Sequence, residues 1–225
     1  MQDRTSEWFV PKIGPRNFRI GIGMLFLPYT FIVTCFAVWG SLGGTFVLDR
    51  HGAICIIYFL AVGVSAHCLD AVGGKTKPWG TLPKRKILSI AIVSLGISFT
   101  IGLYYAFLDS PILFPIGIAE GFFLFAYNLE LFGGRFHNNI STVVSWGILP
   151  VFAGSAIQTN SISIETILLS IVSALVTYFL ITTSRRYKEL KRNGIDSSKR
   201  KEIILKLITL FVAIGTFSFF ILRVI

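Results

Sequence analysis

Charge is what this sequence has least of. Aspartate and glutamate number 11 in 225 residues, and charged residues of both signs make up 14% of the chain, against about a quarter in a soluble globular domain. That shortage excludes an ordinary soluble domain and leaves few carboxylates from which to build a metal site. The three cysteines, Cys35, Cys55 and Cys68, all lie in apolar runs without the spacing of a disulfide framework or a zinc finger. Free thiols packing as small hydrophobes are expected. Glycine-rich phosphate loops, nucleophile elbows and zinc spacings are absent, as are low-complexity tracts and strong internal repeats. No short basic segment with a small-residue cleavage site precedes the first apolar run, so that run is expected to be retained.

What the chain does have is apolar length. Hydrophobic residues make up 53% of it, and the mean hydropathy is +0.72. Runs of roughly spanning length, about 20 residues each, fall at 20–42, 52–69, 87–108, 111–129, 140–158, 162–183 and 203–225. They predict an all-α integral membrane protein, a polytopic bundle of about seven transmembrane helices forming a single domain over residues 1–225. The fourth and fifth runs carry Pro115, Gly117, Gly121, Gly147, Pro150 and Gly154. Such residues are tolerated in buried membrane helices and let helices approach closely. Residues 1–19 mix Trp8, Phe9, Pro11, Pro15, Arg16 and Arg19, which suits an interfacial N-terminal segment at headgroup level.

The basic residues set the orientation. With the N-terminus inside and the sides alternating, 19 of the 21 lysines and arginines fall on one side, and only Arg50 and Arg223 on the other. That division follows the positive-inside rule and predicts an N-in/C-out topology in a cell membrane. It makes 184–202 a basic cytoplasmic loop drawn to anionic lipid, and it assigns the net charge of +10 to a membrane leaflet. No nucleic-acid partner is expected.

Three groups of residues could carry chemistry. His67 and Asp70, three apart on one helical face at the end of the second run, precede Lys75 and Lys77. A carboxylate beside an imidazole can hold a divalent cation, and lysines can neutralise a phosphate bound to it. Mg²⁺ usually takes one or two carboxylates plus substrate phosphates, so Asp70 alone is a thin metal site. Its alternative role is to terminate the helix, with His67 hydrogen-bonded in the bundle. The second group, Glu120, Tyr127, Asn128, Glu130, Arg135, His137, Asn138 and Asn139, places Asn128, Glu130 and Arg135 at the cytoplasmic level of Asp70, with Glu130 as the natural second acid. Glu120 falls mid-span and should face the bundle interior, as a packing contact or as a proton-coupling acid in a small transporter. The third is the apolar interior. With 21 phenylalanines it could shelter a long isoprenoid chain, although aromatics are also ordinary packing and lipid-facing residues.

Residues 70–83, DAVGGKTKPWGTLP, resemble the stretch after the second helix of the UbiA-type intramembrane prenyltransferases, where Asn-Asp-x-x-Asp-x-x-x-Asp runs into Lys-Pro-Trp-Arg-Pro. Residues 127–139 are similar to that family's Tyr-Ser-x-x-(basic) segment, and Gly147-x-x-Pro150-x-x-x-Gly154 to its fifth helix. The resemblance implies a helical bundle with a central cavity, in which two aspartate-rich loops bind Mg²⁺ and a prenyl diphosphate and the prenyl group passes to a lipid or aromatic acceptor. Carried over, Asp70 takes the metal, with His67 and Glu130 as catalytic helpers, and Lys75, Lys77, Tyr127, Asn128 and Arg135 bind substrate.

The departures are specific. Most carboxylates of the first motif are missing, and the place of the second reads ITTSRRYKELKRNG, with Arg185, Arg186 and Lys188 where acids are expected and Glu189 alone. The usual nine helices are seven, leaving two absent or supplied by a partner chain or a second copy. A divergent prenyltransferase and a non-catalytic isoprenoid- or lipid-binding accessory protein are therefore both open, separated by how many carboxylates meet at one point.

Overall fold

A computed structural model of the chain describes residues 4–73, 79–80 and 82–224, and among them every regular element is helical. The elements are α1 (Arg16–Met24), α2 (Leu27–Leu42), α3 (Leu48–Gly73), α4 (Lys84–Leu108), α5 (Leu113–Asn128), α6 (Asn139–Thr159), α7 (Ile164–Arg192) and α8 (Ser198–Val224). With α1 and α2 counted as one span, 6 helices are long and apolar enough to cross a membrane. The seventh expected span, α5, has 16 residues, about 24 Å of helix against a hydrocarbon core of about 30 Å. The outer faces of α4, α7 and α8 expose rows of large apolar side chains such as Ile92, Val93, Leu175, Phe179, Phe211 and Phe217. A water-facing surface rarely carries so much contiguous apolar area; lipid covers it.

The expected runs all become helices, but their ends differ. The first is broken at Leu25 and Phe26, where Phe26 has φ 44, in the left-handed region. Pro28, which cannot donate a backbone hydrogen bond, fits in the first turn of the new helix. The basic stretch 184–202, a connecting loop with a helical look in the sequence, is mostly helix, with only 193–197 linking α7 to α8. Arg186 and Glu189 pair at 2.8 Å along α7. Lys191 and Arg192 sit where the helix dipole favours cations, and Gly194, at φ 67, turns the chain.

The tightest crossing joins α2 and α6. A Cβ on Gly40 would strike the Val151 carbonyl oxygen, and one on Gly154 would strike that of Ala37. Glycine at these positions lets two backbones touch, with Ile32, Phe36, Val151 and Leu180 buried around the contact.

The two ends of the bundle are built differently. At one, the Arg50 guanidinium donates to Asp109 Oδ2 at 2.6 Å and to the Ile157 carbonyl at 2.8 Å. Gln158 exchanges hydrogen bonds with the backbone of Val47, and Arg223 donates to the Gly44 carbonyl at 2.6 Å. At the opposite end, residues 4–15 fold back over the bundle. Arg19 holds the carbonyls of Pro11 at 2.7 Å and Thr5 at 2.8 Å, while Lys191 reaches the Ser6 carbonyl at 2.9 Å and the Glu7 carboxylate at 3.5 Å. Burial, then the charges of Lys191 and Arg19, lower the pKa of Lys12 below its usual value.

Candidate functional site

Two helices widen where the interior opens. α3 contains a π-helical segment, Phe59–Ala66, and α6 another, Val144–Ile148. Their wider i→i+5 turns often mark functional sites. Ala61, Val62 and Ala66 from the first and Ser145 and Trp146 from the second line a cavity of about 310 Å³ that runs along α5 from Leu113 to Asn128. That is the lower range of small-molecule pockets. Its wall is mainly aliphatic and aromatic. Polar groups enter it from Tyr58, Ser98, Glu120, Tyr127, Asn128 and Ser145.

A charged cluster adjoins the cavity at the end covered by residues 4–15. His67 follows cavity-lining Ala66, stacks on Phe26 with centroids 4.5 Å apart, and meets Trp146 edge-on at 6.3 Å. Its Nε2 is buried without a hydrogen-bond partner. The backbone break puts Phe26 at the centre. Trp79 packs against its ring at 5.9 Å, while Arg4 and Lys188 lie 5.4 and 6.0 Å from its centroid, within cation–π range. The Lys188 ammonium is repelled by Arg4 and Arg185 and attracted by Glu7 and Asp70. Asp70 lies one turn beyond His67, half-buried.

The other expected residues divide. Tyr127 lines the cavity and stacks on His137 at 4.2 Å. Asn128 is buried in the same wall and donates to the Leu124 carbonyl at 2.8 Å. Glu130 sits in the turn after α5 with φ 49, and the neighbouring Leu129 packs against Gly73, drawing this turn to the end of α3 that carries Asp70. Arg135 is exposed. Lys75 and Lys77 lie outside the described residues. Asn138 caps α6 by accepting from the Ser141 amide at 2.9 Å. Sequence reasoning did not single out Phe26 or Arg4 as site residues; it places Lys188 where an acid is expected and allows basic residues to neutralise the diphosphate in place of a second metal. Pro28 was the available sign of the break.

The donor set does not match paired metal motifs. Among the described residues no three of His, Cys, Asp and Glu come together as a metal cluster, and the carboxylate nearest His67 in sequence, Asp70, shares its surroundings with Lys188. The pattern that defines the UbiA prenyltransferase family matches residues 74–224, about two thirds of the chain. The chain belongs to the UbiA prenyltransferase family. It is a prenyltransferase-like integral membrane protein, and its class generally uses Mg²⁺ held by aspartate motifs and works on prenyl diphosphates with lipid or aromatic acceptors. The match begins beyond Asp70, so the UbiA assignment rests on the later helices and not on the His67–Asp70 turn. No curated protein and no solved structure matches the chain.

Proposed function

We propose that this UbiA-family chain passes a prenyl group from a prenyl diphosphate to a lipid or aromatic acceptor at the cytoplasmic face, with the chain oriented N-in/C-out. The observation that carries the reading is the juxtaposition of an apolar cavity with the bases Arg4 and Lys188, joined through His67 and Trp146. The cavity suits the isoprenoid tail and the bases suit the diphosphate. In the proposed reaction the allylic C–O bond breaks and its electron pair leaves on the diphosphate oxygen. Lys188 and Arg4, with Lys75 and Lys77 as further candidates, take up that charge. The acceptor forms the new bond to the prenyl carbon and releases a proton. Charge neutralisation thus falls to bases where relatives use metal, and Asp70 serves to hold Lys188 in place. Mg²⁺ is not required by this scheme.

Equilibrium binding of farnesyl diphosphate to the purified full chain in detergent tests it. Binding should persist in EDTA and weaken at least about tenfold in Lys188→Met, since a charge-assisted contact is worth about 1.5–3 kcal/mol. Binding abolished by EDTA or Asp70→Ala, yet untouched in Lys188→Met, would restore a metal site at Asp70 and sink the base-centred scheme. A second reading, an isoprenoid-binding accessory protein, is favoured by the sparse carboxylates around Asp70. It gains if the diphosphate binds but no acceptor from an aromatic and lipid panel is prenylated.

A further inference from the structure

Glu120 has no role in the scheme above. It projects from the middle of α5 into the cavity, where its neighbours in the wall include Ile54, Ile57, Leu113 and Ile116. Tyr58, buried on α3, donates its hydroxyl proton to Glu120 Oε1 at 2.7 Å. Among the described residues Oε2 has no hydrogen-bond partner, and no lysine or arginine interacts with the carboxyl. A carboxyl at membrane depth is costly and is ordinarily paired with a base or used. Here no base pairs with it, and the wall offers it one hydrogen bond.

Its depth separates it from the charged cluster. Glu120 precedes Tyr127 by seven residues on the same helix face, which is about 10 Å of rise. The cavity wall around Glu120 is mainly aliphatic and aromatic. A polar group that meets Glu120 must therefore belong to an otherwise apolar molecule.

We infer that the Tyr58–Glu120 pair is a binding site for the hydroxyl group of an apolar ligand, a phenol or long-chain alcohol whose body fills the cavity. With the carboxyl ionised, the hydroxyl donates to Oε2, completing an acceptor that Tyr58 leaves half used and offsetting the cost of that charge at membrane depth. An uncharged donor suits the site better than an ammonium, because a wall that is mainly aliphatic and aromatic solvates a cation poorly. The inference goes beyond prenyl transfer: it assigns a second ligand group, and it holds whether or not a diphosphate binds at the charged cluster.

The test compares 4-octylphenol with its methyl ether, which keeps the oxygen and loses the donor, by equilibrium binding to the full chain in detergent. Sites that hydrogen-bond a hydroxyl reject analogues lacking it, so the phenol should bind about tenfold or more tightly. In Glu120→Gln, which presents an amide donor as well as an acceptor, the preference should fall to about threefold or less. Gly117→Phe should weaken both ligands, because Gly117 lines the cavity and a Cβ there meets no atom within 4 Å. This variant locates the site even if Glu120→Gln does not fold. Equal affinity for phenol and ether in the wild type, or an undiminished preference in Glu120→Gln, would overturn the inference. Asp70→Ala and Lys188→Met separate the two readings. Farnesyl diphosphate binding untouched in Lys188→Met, with the phenol preference intact, confines the failure to the reading of the charged cluster.

Discussion

The two ends of the bundle hold their bases differently. Arg50 and Arg223 are bound to a carboxylate and to backbone carbonyls that close the ends of neighbouring helices. At the other end Lys188 and Arg4 share one aromatic ring, Phe26, and repel each other. Arg19 and Lys191 at this second end are tied to carbonyls and a carboxylate much as Arg50 is, but Lys188 and Arg4 are left with charge to offer an anion. A basic residue in a membrane protein is therefore informative only through its surroundings, since the same guanidinium serves as a clasp in one place and as a receptor in another.

The largest expected effect is a control that strikes both ends at once. Gly154→Ala drives a methyl group into the Ala37 carbonyl at the α2–α6 crossing. Backbone cannot yield as a side chain does, so the cost should reach or exceed the usual overpacking range of about 1–3 kcal/mol. Thermal unfolding in detergent should show a lowered Tm, with loss of both phenol and diphosphate binding. A Tm unchanged within error would mean that the two helices are not in backbone contact.

Next comes a pair of substitutions that should dissociate the ends. Arg50→Ala removes the bond to the Ile157 carbonyl from a guanidinium whose side chain is 14% exposed, which should cost about 1.5–3 kcal/mol, while farnesyl diphosphate binding stays within about twofold. Lys188→Met should do the reverse, weakening binding and leaving Tm unchanged or raised, because it relieves repulsion from Arg4 and Arg185. If both substitutions act on Tm alone, the contrast between the ends fails.

The smallest effect is in pH: both folded pKa values are lowered, so stability rises with pH at both ends, in an acid window at one and an alkaline window at the other. Arg50 holds the Asp109 carboxyl below its ordinary value of 3.8. The resulting stabilisation is complete above that value and is lost as pH falls through the lower folded one. Lys12 is depressed from 10.5, first by burial. The fold is disfavoured while Lys12 is charged, so stability rises as pH climbs from its lowered folded value towards 10.5. Both groups are well exposed and the shifts in Tm should be small. The acid limb should vanish in Arg50→Ala, and the alkaline limb in Lys12→Met.

Much of the scaffold was readable from the sequence, because apolar length is a direct signal. All seven runs became helices, and the two bases expected on the sparse side, Arg50 and Arg223, do lie at one end. The basic stretch beyond 183 is a connection with a helical look in the sequence, and Arg186 and Glu189 do continue the helix. The site was less legible. Tyr58 and Glu120 are 62 residues apart, and no local pattern joins them. The break at Phe26 had Pro28 as its sign, but the stacking of His67 on Phe26 depends on how α2 and α3 meet. His67 and Asp70 stand out in the sequence as an odd polar pair in an apolar run. That their neighbours are Arg4 and Lys188 follows from tertiary packing alone.

The widened turn Phe59–Ala66 also sets an angle. Each residue of an α-helix advances the chain by about 100°, and a π turn accommodates one residue more than an α turn does. Everything beyond it on α3 is rotated relative to the helix before it. Tyr58 faces the cavity from one side of this turn and His67 faces Phe26 from the other, so the two polar centres are phased by a count of residues between them. Closing this turn into ordinary α-helix without removing a residue would keep every side chain of both centres and swing one of them about 100° out of alignment with its partners, whereas deleting one residue at the same time would restore the alignment. The relative aim of the two centres is thus encoded in length, and chemically conservative changes elsewhere in α3 leave that setting untouched.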